Sequence, residues 1–143
     1  MIKMGFLRSD PKKMIWQSDG KYALEHGHEF YTINVAKELH NLNAKLWLKY
    51  SDFTPIDIDD LLLVAELTRN NFEKQQRTLI HCNARVHRSV TFTLASIMYI
   101  YNLKIKDAMK ILCSPCIDFN IYISEISNHF NSLQDFYIAY IRH

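Results

Sequence analysis

Residues 77–102, "RTLIHCNARVHRSVTFTLASIMYIYN", constrain the fold of this chain more than any other stretch. The first part, "RTLIH", is a short apolar run of the kind that forms a buried strand. The last part, "SVTFTLASIMYIYN", is apolar on nearly every face. A helix with no polar side belongs in the middle of a core, not on a surface. A buried strand and a buried helix joined by one short loop place sheet and helix in adjacent layers of a single core.

The rest of the chain supplies the other layers. "MGFLR" reads as a short edge strand, followed by a helix start in which Ser9 or Asp10 caps and Pro11 opens the first turn. "HEFYTINV", bounded by Gly27, and "KLWLKY" have the aromatic and β-branched content of strands. In "TPIDIDDLLLVAEL", Thr54 can cap, Pro55 suits the first helical position and Asp57 completes a capping box. Ile58, Leu61, Leu62 and Ala65 then recur at helical spacing, which predicts a helix to about Phe72. "IKDAMKIL" and "NIYISEISNHFNSLQDFYIAYI" read as two further helices. The expected fold is α/β: a short central mixed sheet flanked by helices. No repeat or linker-like stretch divides the 143 residues, so one domain over 1–143 is expected.

Charge and cysteine content narrow the partners. Seventeen basic residues against fifteen acidic ones give a net charge of +2, which is no footprint for bulk nucleic-acid binding. Cys82, Cys113 and Cys116 are too few for a disulfide framework, so a reducing intracellular compartment, cytoplasmic or nuclear, is expected. No apolar run approaches the roughly eighteen residues of a membrane span, and "MIKMGFLRSDPKKM" lacks a signal-peptide core.

The loop between the buried strand and the buried helix carries the chemistry. Cys82 leaves the strand and Arg88 enters the helix, so backbone N–H groups and the positive end of the helix dipole converge on one anion site. A thiol there is expected to have a depressed pKa, in the range ~3.5–7.5 reached at such sites. The guanidinium fork of Arg88 matches two oxygens of a tetrahedral anion, and Ser89 can donate to the sulfur when it must leave. A lone cysteine at a strand end is ordinarily packing. Four residues in register, His81, Cys82, Arg88 and Ser89, point instead to nucleophilic displacement at phosphorus. The departing alkoxide then needs a proton, and Asp52, just past the "KLWLKY" strand, is the candidate general acid. Asp57, Asp59 and Asp60 are rivals that lie in a helix start, where acids normally serve the dipole.

"HCNARVHRS" resembles the H-C-x5-R-[ST] signature of the cysteine-dependent dual-specificity phosphatases of the protein tyrosine phosphatase superfamily. "HEFYTINVAKEL" and "KLWLKYSD" are similar to that family's strands ending at an I-N-V pattern and at its general acid. "AMKILCSPCIDFN" resembles its R-P-x-I-x-x-N segment with one residue inserted, matching Pro115, Ile117 and Asn120. The resemblance covers about the whole chain and implies a minimal catalytic domain. It implies Cys82 as nucleophile, Arg88 as phosphate clamp, Ser89 as the group that helps the thiolate depart and Asp52 as general acid. The backbone of Asn83, Ala84, Arg85, Val86, His87 and Arg88 would cradle the phosphate, with His81 supporting the cysteine. Phosphorylated protein substrates and no metal or other cofactor are implied; an RNA 5′ end is the one nucleic-acid substrate some relatives take.

Two departures from the pattern stand out. Arg85 replaces the glycine usual at the third loop position, and Cys113 or Ser114 replaces the arginine of the R-P pair. If the Arg85 position needs a left-handed backbone, a side chain there costs about 1–2 kcal/mol. The alternative function is therefore a pseudophosphatase that binds phosphorylated partners with weak or no turnover. A rhodanese-like sulfur carrier is disfavoured, since such a loop needs neither Asp52 nor Ser89. "CSPC" is read as helix-end packing, "HGH" at 26–28 as a solvated turn, and Phe130, Phe136, Tyr137 and Tyr140 as core. Phe53, beside Asp52, is placed to flank a phosphorylated side chain.

Overall fold

The computed structural model describes residues 7–51, 54–83, 87–113 and 127–142. Strands β1 (Leu7–Ser9) and β2 (Ile15–Ser18) form an antiparallel hairpin, with Leu7 opposite Ser18. The helix expected after Ser9 is replaced by the turn of this hairpin. Asp10 Oδ1 accepts from both Met14 N and Ile15 N at 2.8 Å, and Asp10 N donates to Ile15 O at 3.0 Å. Asp and Pro suit turns as well as helix starts, and here pairing of the flanking strands decides between them.

β2 runs into α1 (Gly20–His26), capped by Asp19, whose carboxylate accepts from Tyr22 N at 2.9 Å. A single 3-10 turn (Gly27–Glu29) leads to β3 (Tyr31–Ala36) and β4 (Ala44–Tyr50). Then come α2 (Ile58–Glu73), β5 (Thr78–His81), α3 (His87–Tyr101), α4 (Ile105–Cys113) and α5 (Ser127–Tyr140). The cap of α2 is Asp57 rather than Thr54, its Oδ1 accepting from Asp59 N at 2.8 Å. The part of the last expected helix before Ser127 lies outside the described residues, as do Pro115, Cys116, Ile117 and Asn120.

The sheet has the order β1-β2-β5-β3-β4, with β1 antiparallel at one edge and β2, β5, β3 and β4 mutually parallel. It is mixed, as expected. Side chains alternate between its faces. Ile15, Ile33 and Ile80 point to the side covered by α2 to α5, whereas Leu79 packs with Ala23 of α1 and Phe30 on the other. Helix α3 lies in the middle: every residue from 88 to 98 is buried. Each fully buried Leu or Ile contributes about 1.5–3 kcal/mol, so the sheet–α3 interface is a principal source of stability. Phe136 is fully buried, with Phe130, Tyr137 and Tyr140 packed against the same core.

Four parallel strands that point the same way end at one edge of the sheet. The segments leaving β2, β3, β4 and β5 therefore meet there, bringing together Asp19, Glu38, Ser51 and Cys82. In a parallel α/β sheet that edge is where a ligand finds backbone and side chains from several connections.

Candidate active site

Cys82 follows β5 directly, and Arg88 and Ser89 stand in the first turn of α3. His81 fixes the backbone at the start of the loop. Its Nδ1 lies 2.9 Å from Cys82 O, and a carbonyl can only accept, so Nδ1 carries the hydrogen. Nε2 is then the acceptor for Asn41 Nδ2 at 3.0 Å. Burial pushes the pKa of this imidazole down to about 4, so at neutral pH it is an uncharged brace. Asn41, its partner, was not singled out from the sequence.

The Cys82 side chain is fully buried, with Sγ 3.2 Å from Ser89 Oγ. The expected depression of its pKa is not found. Burial raises it, outweighing the opposite pull of the Ser89 hydroxyl, of the Arg88 charge and of hydrogen bonds from backbone groups of Ser89 and Asn83. Those groups act on the sulfur, but its removal from water prevails.

Arg88 is 1% exposed and bonded at both ends of its fork: Nη1 donates to Glu38 Oε1 and Nη2 to Glu38 Oε2, each at 2.7 Å. Nη1 also donates to Tyr50 O at 2.6 Å. The Arg88 hydrogen bonds hold the Glu38 carboxyl down at about 2, with help from the Arg88 charge and from Asn83. Glu38 lies two residues beyond β3, at the edge where the strands end, and its carboxylate partly offsets the guanidinium charge that acts on Cys82. That location was the one sequence signal that could have found it.

Gly20, the first residue of α1, packs under the loop. Its N donates to Asn83 O at 3.1 Å, and a Cβ there would come within 3.0 Å of Cys82 O and 3.1 Å of Asn83 Oδ1. The close approach, not a turn, requires glycine here. The rival acids are engaged elsewhere: Asp57 caps α2, Asp60 accepts from the Tyr50 hydroxyl, and Asp59 accepts from Tyr140 at 3.0 Å. Asp52, Phe53, Ala84, Arg85 and Val86 lie outside the described residues, as does the side chain of His87. His26 of "HGH" lies against Glu29 Oε2, 2.8 Å from its Nδ1. Among the described residues, no three His, Cys, Asp or Glu side chains cluster as metal ligands do.

Residues 17–138 match the family described as dual specificity phosphatase, catalytic domain. The chain belongs to this family. No curated protein matches its sequence. Among solved structures, the human tyrosine phosphatase-like serine/threonine/tyrosine-interacting protein has a TM-score of 0.70 and 18% identity, over 95% of this chain and 98% of that one. Human DUSP28 gives 0.65 and 15%, over 90% of this chain and 95% of that one. Tk-PTP in its active form gives 0.65 and 17%, over 88% and 92%. At such identities the likeness is one of fold. The loop of this dual-specificity phosphatase domain joins β5 to α3, and family membership supports a phosphatase of the protein tyrosine phosphatase superfamily.

Proposed function

We propose that the chain is a protein phosphatase that hydrolyses phosphotyrosine and phosphoserine/threonine monoesters through a cysteinyl-phosphate intermediate. The observation that carries this reading is the state of Arg88, whose buried fork holds an oxyanion, the Glu38 carboxylate, through two parallel bonds of 2.7 Å. A phosphate dianion offers the same pair of oxygens with more charge. Substrate displaces Glu38, and the freed guanidinium and loop amides then favour the ionised sulfur.

In the first step Cys82 Sγ attacks phosphorus, the P–O ester bond breaks, and Asp52 gives the departing oxygen its proton. In the second, Asp52 takes a proton from water, the water oxygen attacks phosphorus, and the P–S bond breaks. Ser89, 3.2 Å from Sγ, donates to the departing thiolate in that step. The engagement of the described acids near the site supports Asp52 as the acid, Asp19 being the cap of α1. Glu38 is ionised at neutral pH, His81 is neutral and braced, and Asp57, Asp59 and Asp60 serve α2 and its neighbours. The Tyr50 carbonyl, two residues before Asp52 in sequence, is bonded to Arg88.

The cradle for phosphate is the backbone of residues 83–88, and Arg85, with His87, adds positive charge that favours acidic or multiply phosphorylated substrates. A thiol nucleophile requires a reducing compartment, consistent with a cytoplasmic or nuclear location. Among the described residues no helix is long and apolar enough to cross a membrane. The proposed unit is one minimal catalytic domain over the whole chain.

Turnover of p-nitrophenyl phosphate without divalent metal tests this reading. Hydrolysis should be inhibited by vanadate and abolished by Cys82→Ser. Binding of phosphotyrosine peptide without any hydrolysis would contradict it. Paired phosphotyrosine and phosphothreonine peptides then define the residue preference.

A further inference from the structure

Gln17 occupies a position that a sheet under a buried helix ordinarily gives to an apolar side chain. It lies on β2, its side chain on the same face as Ile15 and Ile80, the face that α3 covers, and it is fully buried. A buried amide is tolerated only where its hydrogen-bonding groups are satisfied. Gln17 Oε1 accepts from Arg8 Nε at 2.7 Å, and Gln17 Nε2 donates to Ser18 O at 3.3 Å. Arginine can only donate and a carbonyl can only accept, so these partners settle which end of the amide is nitrogen.

That orientation governs a third bond. Gln17 Nε2 lies 2.7 Å from Ser89 Oγ, and because the nitrogen has no lone pair to offer, it must be the donor. The serine oxygen accepts from Gln17, and the serine hydrogen is not drawn toward it. Cys82 Sγ lies 3.2 Å from the same oxygen. While the sulfur is a thiol it can donate to Ser89; once it is ionised, Ser89 must donate to it.

We propose that Gln17 is a positioning residue: held by Arg8 and the Ser18 carbonyl, it donates to Ser89 and so keeps the Ser89 hydrogen available to the Cys82 thiolate. The chain Arg8–Gln17–Ser89–Cys82 spans β1, β2, α3 and the loop, so the outer edge of the sheet tunes the nucleophile. The proposal rests on Cys82 being the nucleophile of the proposed reaction. Arg8, Arg88, Glu38 and His81 are charged or titratable groups near the relay among the described residues, and all are kept in every variant.

The test is the thiolate midpoint of Cys82, read from ultraviolet thiolate absorbance against pH as the difference from a matched Cys82→Ser protein. Gln17→Met should raise the midpoint, with the thiolate fraction below it falling roughly threefold to tenfold. Ser89→Ala should raise it similarly. Adding Gln17→Met to Ser89→Ala should leave it where Ser89→Ala put it. An unmoved midpoint in Gln17→Met, or an equal shift with and without Ser89, overturns the proposal. Should the methionine variant fail to fold, Gln17→Glu replaces the donor by an acceptor of the same length. Its shift must be larger with Ser89 than with alanine there, and equal shifts overturn the relay. The midpoint does not depend on turnover, so a Ser89-dependent shift in a chain that hydrolyses no phosphate ester would overturn the phosphatase reading alone.

Discussion

Arg88 holds the Glu38 carboxylate, and on the proposed reading the phosphate of a substrate competes for the same fork, which cannot serve both fully. Glu38→Gln removes the competing charge while keeping one acceptor. With less opposing charge on the guanidinium, the Cys82 midpoint should fall by roughly half to one pH unit, and vanadate should inhibit severalfold more tightly. Folding stability should fall by about 1 kcal/mol, at the modest end because Glu38 is half in water. A midpoint that stays put would show that Glu38 does not restrain the nucleophile. Arg88→Lys keeps the charge but loses the fork, and should cost roughly a hundredfold in kcat/KM for p-nitrophenyl phosphate. A loss of less than twofold would mean that bidentate geometry is irrelevant. Cys82, Arg88 and Ser89 were legible in the sequence because the loop that unites them is continuous. Glu38, Gln17 and Asn41 were not, because each meets its partner 50, 72 or 40 residues away.

The loop after β5 is shaped by the element beneath it, the start of α1. Gly20→Ala would press a Cβ to 3.0 Å from Cys82 O, and although the Leu39 side chain can swing aside, the carbonyl is held by His81. The loop should shift by a few tenths of an ångström, lowering p-nitrophenyl phosphate turnover roughly tenfold with little loss of thermal stability. Unchanged turnover would show that the loop tolerates the side chain. Sequence patterning found β3, β4 and the long helices α2 and α3 by their composition and period, and β5 by its apolar run. It did not find β2 or α1. β2 is as short as β5 but carries the polar Gln17 and Ser18, and α1 at seven residues is too short to show a pattern; they owe their structure to pairing with β5 and to packing around Leu79. The turn at Asp10 and Pro11 was misread as a helix start for the same reason: local preference alone does not choose between the two.

At the scale of the whole molecule, the buried site imposes a pH dependence on folding. His81 has a pKa of about 4 in the fold against an ordinary value of 6.5. The unfolded chain therefore takes up a proton that the folded chain refuses as pH falls from 6.5 toward 4, and stability declines through that window by about 2 kcal/mol between pH 7.5 and 5. Glu38 behaves in the usual acid sense at lower pH, its contribution being lost as pH falls from 4.5 through about 2. Urea midpoints at pH 7.5 and 5 should show the first loss in wild type and a smaller one in His81→Gln; equal losses would refute the assignment to His81. The largely apolar, buried α3 made the layered architecture legible, and one edge of the parallel sheet gathers the site. The central claim is that Cys82 carries phosphate during turnover. Acid-quenching the protein during hydrolysis of p-nitrophenyl phosphate and weighing the Cys82 peptide by mass spectrometry tests it directly. A phosphate adduct should be present on that peptide, enriched in Asp52→Asn and missing in Cys82→Ser. Sustained hydrolysis with no adduct on Cys82 in either the wild type or Asp52→Asn would contradict the account.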